Sequence, residues 1–312
     1  MDTELFKEKL KEKTIDAERI VKLYLPKEEG NQKKVIEAMN YSILVGGKRI
    51  RPVLMKEAYL MFGGDDEKVI GPFMAALEMI HNYSLIHDDL PALDNDEYRR
   101  GKKTCHAVYG AGMATIAGDG LLNFAYETAF KAGLSNAKLT DYDGEVNNRI
   151  LAALQILGKK AGIYGMVGGQ CADIEAEKRK DLTREELIFI HENKTGALIE
   201  AALMIGALLA GADFKDVQAM EKVGSNVGIA FQIQDDILDV VGDEATLGKP
   251  VGSDAKNEKT TYVNLFGIEK SRQDVSNLSN EAVSLLNDLA NKKSVDDPFL
   301  KDLILSMINR VK

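Results

Sequence analysis

Residues 228–244 read GIAFQIQDDILDVVGDE. Gln232, Asp235, Asp236 and Asp239 fall at i, i+3, i+4 and i+7, a spacing that puts all four on one stripe of an α-helix. Ile229, Phe231, Ile233, Ile237, Leu238, Val240 and Val241 supply the faces such a helix must bury. Three like charges on one stripe repel, and the apolar neighbours deny them full hydration.

The rest of the chain also predicts helix. Among 312 residues there are 6 Pro and no Trp, Ala, Leu, Glu and Lys are abundant, and runs of Val, Ile and Thr at period two are scarce. The fold class expected is all-α. Helical periodicity runs over residues 3–25, 33–45, 51–62, 69–87, 114–131, 149–158, 166–178, 183–192, 194–209, 213–240 and 270–290, with a last segment from Phe299. Thr183 and Glu186 form a capping box in sequence. Gly, Asn and Asp collect in loops at residues 63–66, 135–148 and 242–259, and the last of these is Gly-rich, bears lysines and directly follows the carboxylate helix. No repeat or linker divides the chain, so one domain is expected over residues 1–312.

Composition excludes several function classes. The start, MDTELFKEKLKEK, lacks the basic-then-apolar order of a signal peptide. The longest apolar run, AALMIGALLAGA at residues 201–212, is shorter than the roughly 20 residues of a membrane span. It reads as a buried core helix, and no stable membrane anchor is expected. Cys105 and Cys171 stand in no metal or redox spacing, which fits thiols that pack inside a cytoplasmic protein. A net charge of −9 argues against nucleic acid as a partner. An anionic ligand must then be held by local groups of cations.

A second acidic cluster lies in HNYSLIHDDLPALD, residues 81–94. Pro91 ends or kinks the helix and leaves Asp88 and Asp89 near its C-terminal end, where the dipole disfavours negative charge by about 0.3–1 kcal/mol. Asp94, beyond the proline, can turn back toward Asp88. Carboxylates without Cys suit a hard cation such as magnesium, which shares its shell with water and phosphate oxygens. Two such clusters facing each other across a helical bundle would hold a diphosphate through bridging ions.

Cations flank these clusters. Lys48, Arg49 and Arg51 follow the Gly46–Gly47 pair in VGGKRIRP, and Arg99 and Arg100 follow the first aspartates in YRRGKK. The glycine pair lacks the spacing of a P-loop. His81 lies on the helical stripe that leads to Asp88, with Ser84 between them. Lys194-Thr195-Gly196 reads as the start of the most apolar helix.

In this order and spacing, GGKRIRP, DDLPALD, RRG, GDGLL (residues 118–122), GGQ (168–170), KTG, FQIQDDILD, and the later GK and KTTY resemble the trans-isoprenyl diphosphate synthases of the polyprenyl synthetase family, most closely the bacterial farnesyl diphosphate synthase type. The resemblance implies an all-α bundle around a deep central cavity, usually a homodimer. It also implies that Asp88, Asp94 and Asp235 ligate magnesium, three ions per site, with Asp89, Asp236 and Asp239 in support. Arg99, Lys194, Lys249 and Lys259 would bind the allylic diphosphate. Gly47, Lys48, Arg51, His81 and Arg100 would hold isopentenyl diphosphate. Thr195 and Gln232 would line the reacting carbons, and Tyr83 with Ser84 would limit chain length to fifteen carbons. Residues 242–259 would close as a lid, and the basic tail INRVK matches relatives whose C-terminus helps close the site. Geranyl and geranylgeranyl diphosphate synthases, a class I terpene cyclase and a helical regulatory subunit are the competing readings.

Overall fold

Helix does dominate, in the element order that follows. The computed structural model describes residues 2–136, 144–177, 179, 181–241 and 260–308. Its helices are α1 (Thr3–Leu23), α2 (Lys33–Leu44), α3 (Ile50–Met61), α4 (Glu67–Asp88), α5 (Cys105–Tyr109), α6 (Ala111–Asn136), α7 (Gly144–Ala161), α8 (Met166–Ala176), α9 (Arg184–Ile190), α10 (Ala197–Leu209), α11 (Phe214–Val241), α12 (Tyr262–Phe266), α13 (Ile268–Lys293) and α14 (Phe299–Ile308). Among the described residues the only sheet is a two-stranded ribbon, β1 (Tyr98–Arg99) and β2 (Lys102–Lys103).

The ribbon accounts for the YRRGKK stretch, which folds into a hairpin. Arg100 and Gly101 join the strands with φ of 54° and 74°, the two positive φ angles of a tight hairpin turn. Asn or Asp is the usual residue at the first of these positions, so an arginine there bears backbone strain.

The chain forms two compact units. One comprises Glu8–Lys56 and Asp65–Leu154. Its centre is α4, buried at every residue from Val69 to Ile80, so the helix is covered all round and packs along α6. A buried ion pair joins Arg49 Nη1 to Glu78 Oε1 at 2.7 Å, and Arg49 Nη2 donates to Ile43 O at 2.5 Å. Arg49 adopts φ 50° to make these bonds, which tie the 45–51 turn to α4.

The other unit comprises Met1–Lys7, Glu57–Gly64 and Gln155–Lys312. At its core is α10, buried at every residue from Ala197 to Ala207, in keeping with the core reading of AALMIGALLAGA. It packs against α11, which packs in turn against α13. The capping box of α9 is formed, with Thr183 Oγ1 accepting from Glu186 N and Thr183 N donating to Glu186 Oε2.

Two expectations need correction. Residues 194–196 do not simply start a helix: His191–Gly196 is a π-helical turn set between α9 and α10. Cys105 is buried, but Cys171 is exposed, so only the first thiol packs inside. By composition alone, an 18-residue window within Gly144–Ala176 is apolar enough to cross a bilayer. That segment is interrupted by turns between α7 and α8.

Candidate active site

The first aspartate cluster sits where α4 stops. Pro91 cannot continue the helix, so α4 ends at Asp88 and Asp89 caps it, donating to Leu85 O at 3.1 Å. The chain then folds back, and Asp94 N donates to Asp88 O at 2.9 Å, as the sequence anticipated. This turn satisfies one of the terminal carbonyls of the helix and brings the Asp94 backbone to the end that carries Asp88. Asp88 is half-buried and Asp94 exposed.

Asp89 is different: it is buried and gripped by Arg99. Arg99 Nε lies 2.8 and 3.0 Å from the two carboxylate oxygens, and Nη2 lies 2.5 Å from Oδ1. Burial pushes the Asp89 carboxyl above its usual range although the guanidinium pulls the other way. These contacts to both carboxylate oxygens fix the orientation of the Arg99 guanidinium.

Cations gather behind this cluster. Arg100 Nη1 donates to Gly46 O, and a Cβ on Gly47 would lie 2.5 Å from the same nitrogen, so the glycine leaves room for the guanidinium in this position. His81 is held well below the ordinary histidine range, first by burial and then by Arg51, Arg100, Arg99 and Arg49. Its imidazole is neutral at pH 7. Burial also lowers Arg51 and Arg100, against the pull of Glu78, but both stay cationic because guanidinium pKa values are so high. Arg51 Nε is buried without a hydrogen-bond partner. An orphaned donor among guanidinium groups is what an anion would satisfy. Lys48 lies exposed on the same turn, and Arg49 is neutralised by Glu78. Tyr83 is buried, and Ser84 Oγ donates back to His81 O at 2.9 Å.

The second cluster lies on α11, on the stripe its spacing predicts. Gln232 and Asp235 are half-buried, whereas Asp236 and Asp239 are buried. Asp236 Oδ2 accepts from Tyr262 N at 2.6 Å, and Tyr262 Oη donates to Asp274 Oδ2 at 2.8 Å. His191 Nε2 stands 4.0 Å from Asp236, and burial pushes its imidazole down to about 4.

Lys194 and Thr195 are presented by the π-helical turn. π-turns inside helices are frequent at functional sites because the extra residue displaces side chains from the regular ladder. Glycines make room for this turn from two sides. A Cβ on Gly169, in α8, would meet Lys194 N at 2.1 Å, and one on Gly228, in α11, would meet Gly196 Cα at 2.4 Å. Lys194 Nζ is steered by Asp173 Oδ2 at 2.6 Å. Asp173, His191 and Glu78 were missed in the sequence, where each is a single polar residue without a spacing signal, and Tyr262 stands there only as the last residue of KTTY, with no role of its own. Lys249, Lys259, the 242–259 loop and residues 309–312 of the tail lie outside the described residues.

Among the described residues no group of three or more His, Cys, Asp or Glu side chains forms a metal centre. The donor set nevertheless fits magnesium. In one unit Asp88 and Asp94, and in the other Asp235, are carboxylates that are not buried, and this ion takes one or two carboxylates and completes its shell with water and phosphate oxygens.

The polyprenyl synthetase family model matches residues 32–297. A farnesyl diphosphate synthase from Geobacillus stearothermophilus is 43% identical over 269 residues, 85% of each chain. A geranylgeranyl diphosphate synthase from Cyanophora paradoxa is 44% identical over 253 residues, 81% of each chain. Among solved structures, a geranyltransferase from Legionella pneumophila superposes with a TM-score of 0.81 at 30% identity, covering 99% of this chain and 98% of its own. With the motifs in order, the fold all-α and a family match over most of its length, the chain belongs to the polyprenyl synthetase family.

Proposed function

We propose that the chain condenses an allylic diphosphate, dimethylallyl or geranyl, with isopentenyl diphosphate, releasing diphosphate and giving farnesyl diphosphate. The observation that carries this reading is the cation group of Arg51, Arg100 and neutral His81, with its orphaned Arg51 Nε, beside the aspartates at the end of α4. A terpene cyclase has no need of a second diphosphate site.

Asp88, Asp94 and Asp235 would hold three magnesium ions, which when bound supply positive charge to the allylic diphosphate. Arg99, Lys194, Lys249 and Lys259 bind its oxygens, with Asp89 and Asp173 orienting the first two. As negative charge develops on the leaving diphosphate, these groups stabilise it and the allylic C–O bond breaks. Gly47, Lys48, Arg51, His81 and Arg100 hold isopentenyl diphosphate so that its double bond attacks the allylic carbon. Thr195 and Gln232 line the reacting carbons, and the proton lost at the end passes to the released diphosphate. Water must be kept out, since it would trap the allylic cation.

Residues 1–312 act in this reading as one polyprenyl synthetase domain in a cytoplasmic homodimer. Exposed Ile163, Tyr164 and Val167, at and just after the turn that follows α7, offer an apolar surface for the second copy to cover. Tyr83, with Ser84 beside it, limits the product to fifteen carbons. A geranylgeranyl product is the second reading, favoured by the 44% identity to the Cyanophora enzyme.

Incubation of the purified chain with magnesium, isopentenyl diphosphate and primers of several lengths tests both readings. Farnesyl diphosphate as the end product supports the first and geranylgeranyl diphosphate the second. Absence of elongation in every mixture contradicts both.

A further inference from the structure

The GDGLL stretch at residues 118–122 takes no part in the mechanism above, yet Gly118 makes one of the closest approaches in its unit. A Cβ at this position in α6 would lie 2.2 Å from Nε2 and 2.4 Å from Cδ2 of His87, in α4. The imidazole fills the space that any larger residue at 118 would take. His87 Nε2 also donates to Thr115 O at 3.2 Å and stands 3.7 Å from Asp119 Oδ1. Its ring meets Tyr83, one turn earlier in α4, edge to face, with centroids 5.8 Å apart and planes at 83°. Tyr83 is buried, so its ring position depends on the side chains packed on it.

We propose that His87, seated in the notch left by Gly118, is a positioning residue that fixes the Tyr83 ring and so helps set product length. The product-length part rests on the prenyl-transfer reading above; the positioning part does not. With the imidazole gone or pushed out of the notch, the Tyr83 ring loses its edge partner and its hold over the growing chain. An aromatic pair of this geometry corresponds to a change of about 2- to 10-fold in a competing equilibrium.

The test compares His87→Ala, Gly118→Ala, their double variant and Tyr83→Ala in the full chain. Products are analysed with geranyl and isopentenyl diphosphates in magnesium. Thermal midpoints are measured, and 3-fluorotyrosine is incorporated, with the Tyr83 fluorine resonance assigned through Tyr83→Phe. His87→Ala and Gly118→Ala should each shift that resonance and raise the ratio of the next-longer product to farnesyl diphosphate about 2- to 10-fold. Gly118→Ala should lower the Tm of the wild type but not of His87→Ala, where the methyl group enters empty space. An unmoved Tyr83 resonance in His87→Ala overturns the positioning role. Lengthening in Tyr83→Ala with none in either other single variant overturns the product-length role, as does an unchanged product in Tyr83→Ala. If the wild type transfers no prenyl group, the function reading and the product-length role fall together, while the resonance and the Tm cycle still decide whether His87 positions Tyr83.

Discussion

Tyr262 binds the second aspartate motif through its backbone and α13 through its side chain. Its N–H donates to Asp236 at 2.6 Å while its hydroxyl donates to Asp274 at 2.8 Å, and Lys270 Nζ holds the other Asp274 oxygen at 2.5 Å. Asp236 is thereby fixed next to Asp235 by a residue that begins α12. Asp274→Ala leaves the buried Tyr262 hydroxyl without its acceptor and should cost about 1–3 kcal/mol, read from urea denaturation. Tyr262→Phe removes the side-chain bond but keeps the backbone bond, so it should cost less, about 1 kcal/mol, and leave prenyl transfer largely intact.

The two glycines that admit the π-turn are expected to be intolerant of a methyl group. In Gly169→Ala the new Cβ meets backbone, Lys194 N at 2.1 Å, which no rotamer change relieves. Overpacking of this kind costs about 1–3 kcal/mol. It should also move Lys194 and Thr195, lowering kcat more than tenfold. Denaturation and steady-state kinetics on the same sample check both effects.

Both clusters of aspartates were legible in the sequence because their positions follow from local rules. Pro91 signals an end or a kink, and α4 ends three residues before it, while the 3.6-residue period places Gln232, Asp235, Asp236 and Asp239 on one stripe wherever α11 packs. The Thr183–Glu186 cap follows from spacing in the same way. The hairpin at Arg100–Gly101 carried a weaker signal, a glycine after a polar residue, which the run of cations obscured. What the sequence hid depends on partners distant along the chain. The π-turn inserts a residue without changing composition, and it is enforced by Gly169 and Gly228 from other helices. Arg49 and Arg51 look alike two positions apart, yet Glu78 makes its direct ion pair with the first.

That difference separates the two arginines in function. Arg51→Gln should raise the KM for isopentenyl diphosphate about 10- to 100-fold, the loss of a charge-assisted hydrogen bond, with little change in the KM for the allylic substrate. Arg49→Gln strands buried Glu78 and should instead lower stability by about 3–5 kcal/mol. Initial rates and denaturation curves distinguish the pair.

Stability should fall in acid partly through His191. Buried and pushed down to about 4, its imidazole is neutral in the folded chain where an unfolded histidine, with a pKa near 6.5, is protonated. The unfolded state therefore binds more protons in this range, so the contribution is fully present above pH 6.5 and is lost as pH falls toward 4. His191→Gln should flatten the stability profile over that window, as followed by urea unfolding at successive pH values.

Magnesium-dependent binding of pyrophosphate, followed by calorimetry in the wild type, Asp88→Ala and Asp235→Ala, tests most directly whether the two acidic stripes grip a diphosphate. Each substitution should weaken binding at least about thirtyfold, the effect of removing one partner of a charge interaction with the ligand, while circular dichroism shows the helices intact. Pyrophosphate binding of wild-type strength in both variants would contradict the account.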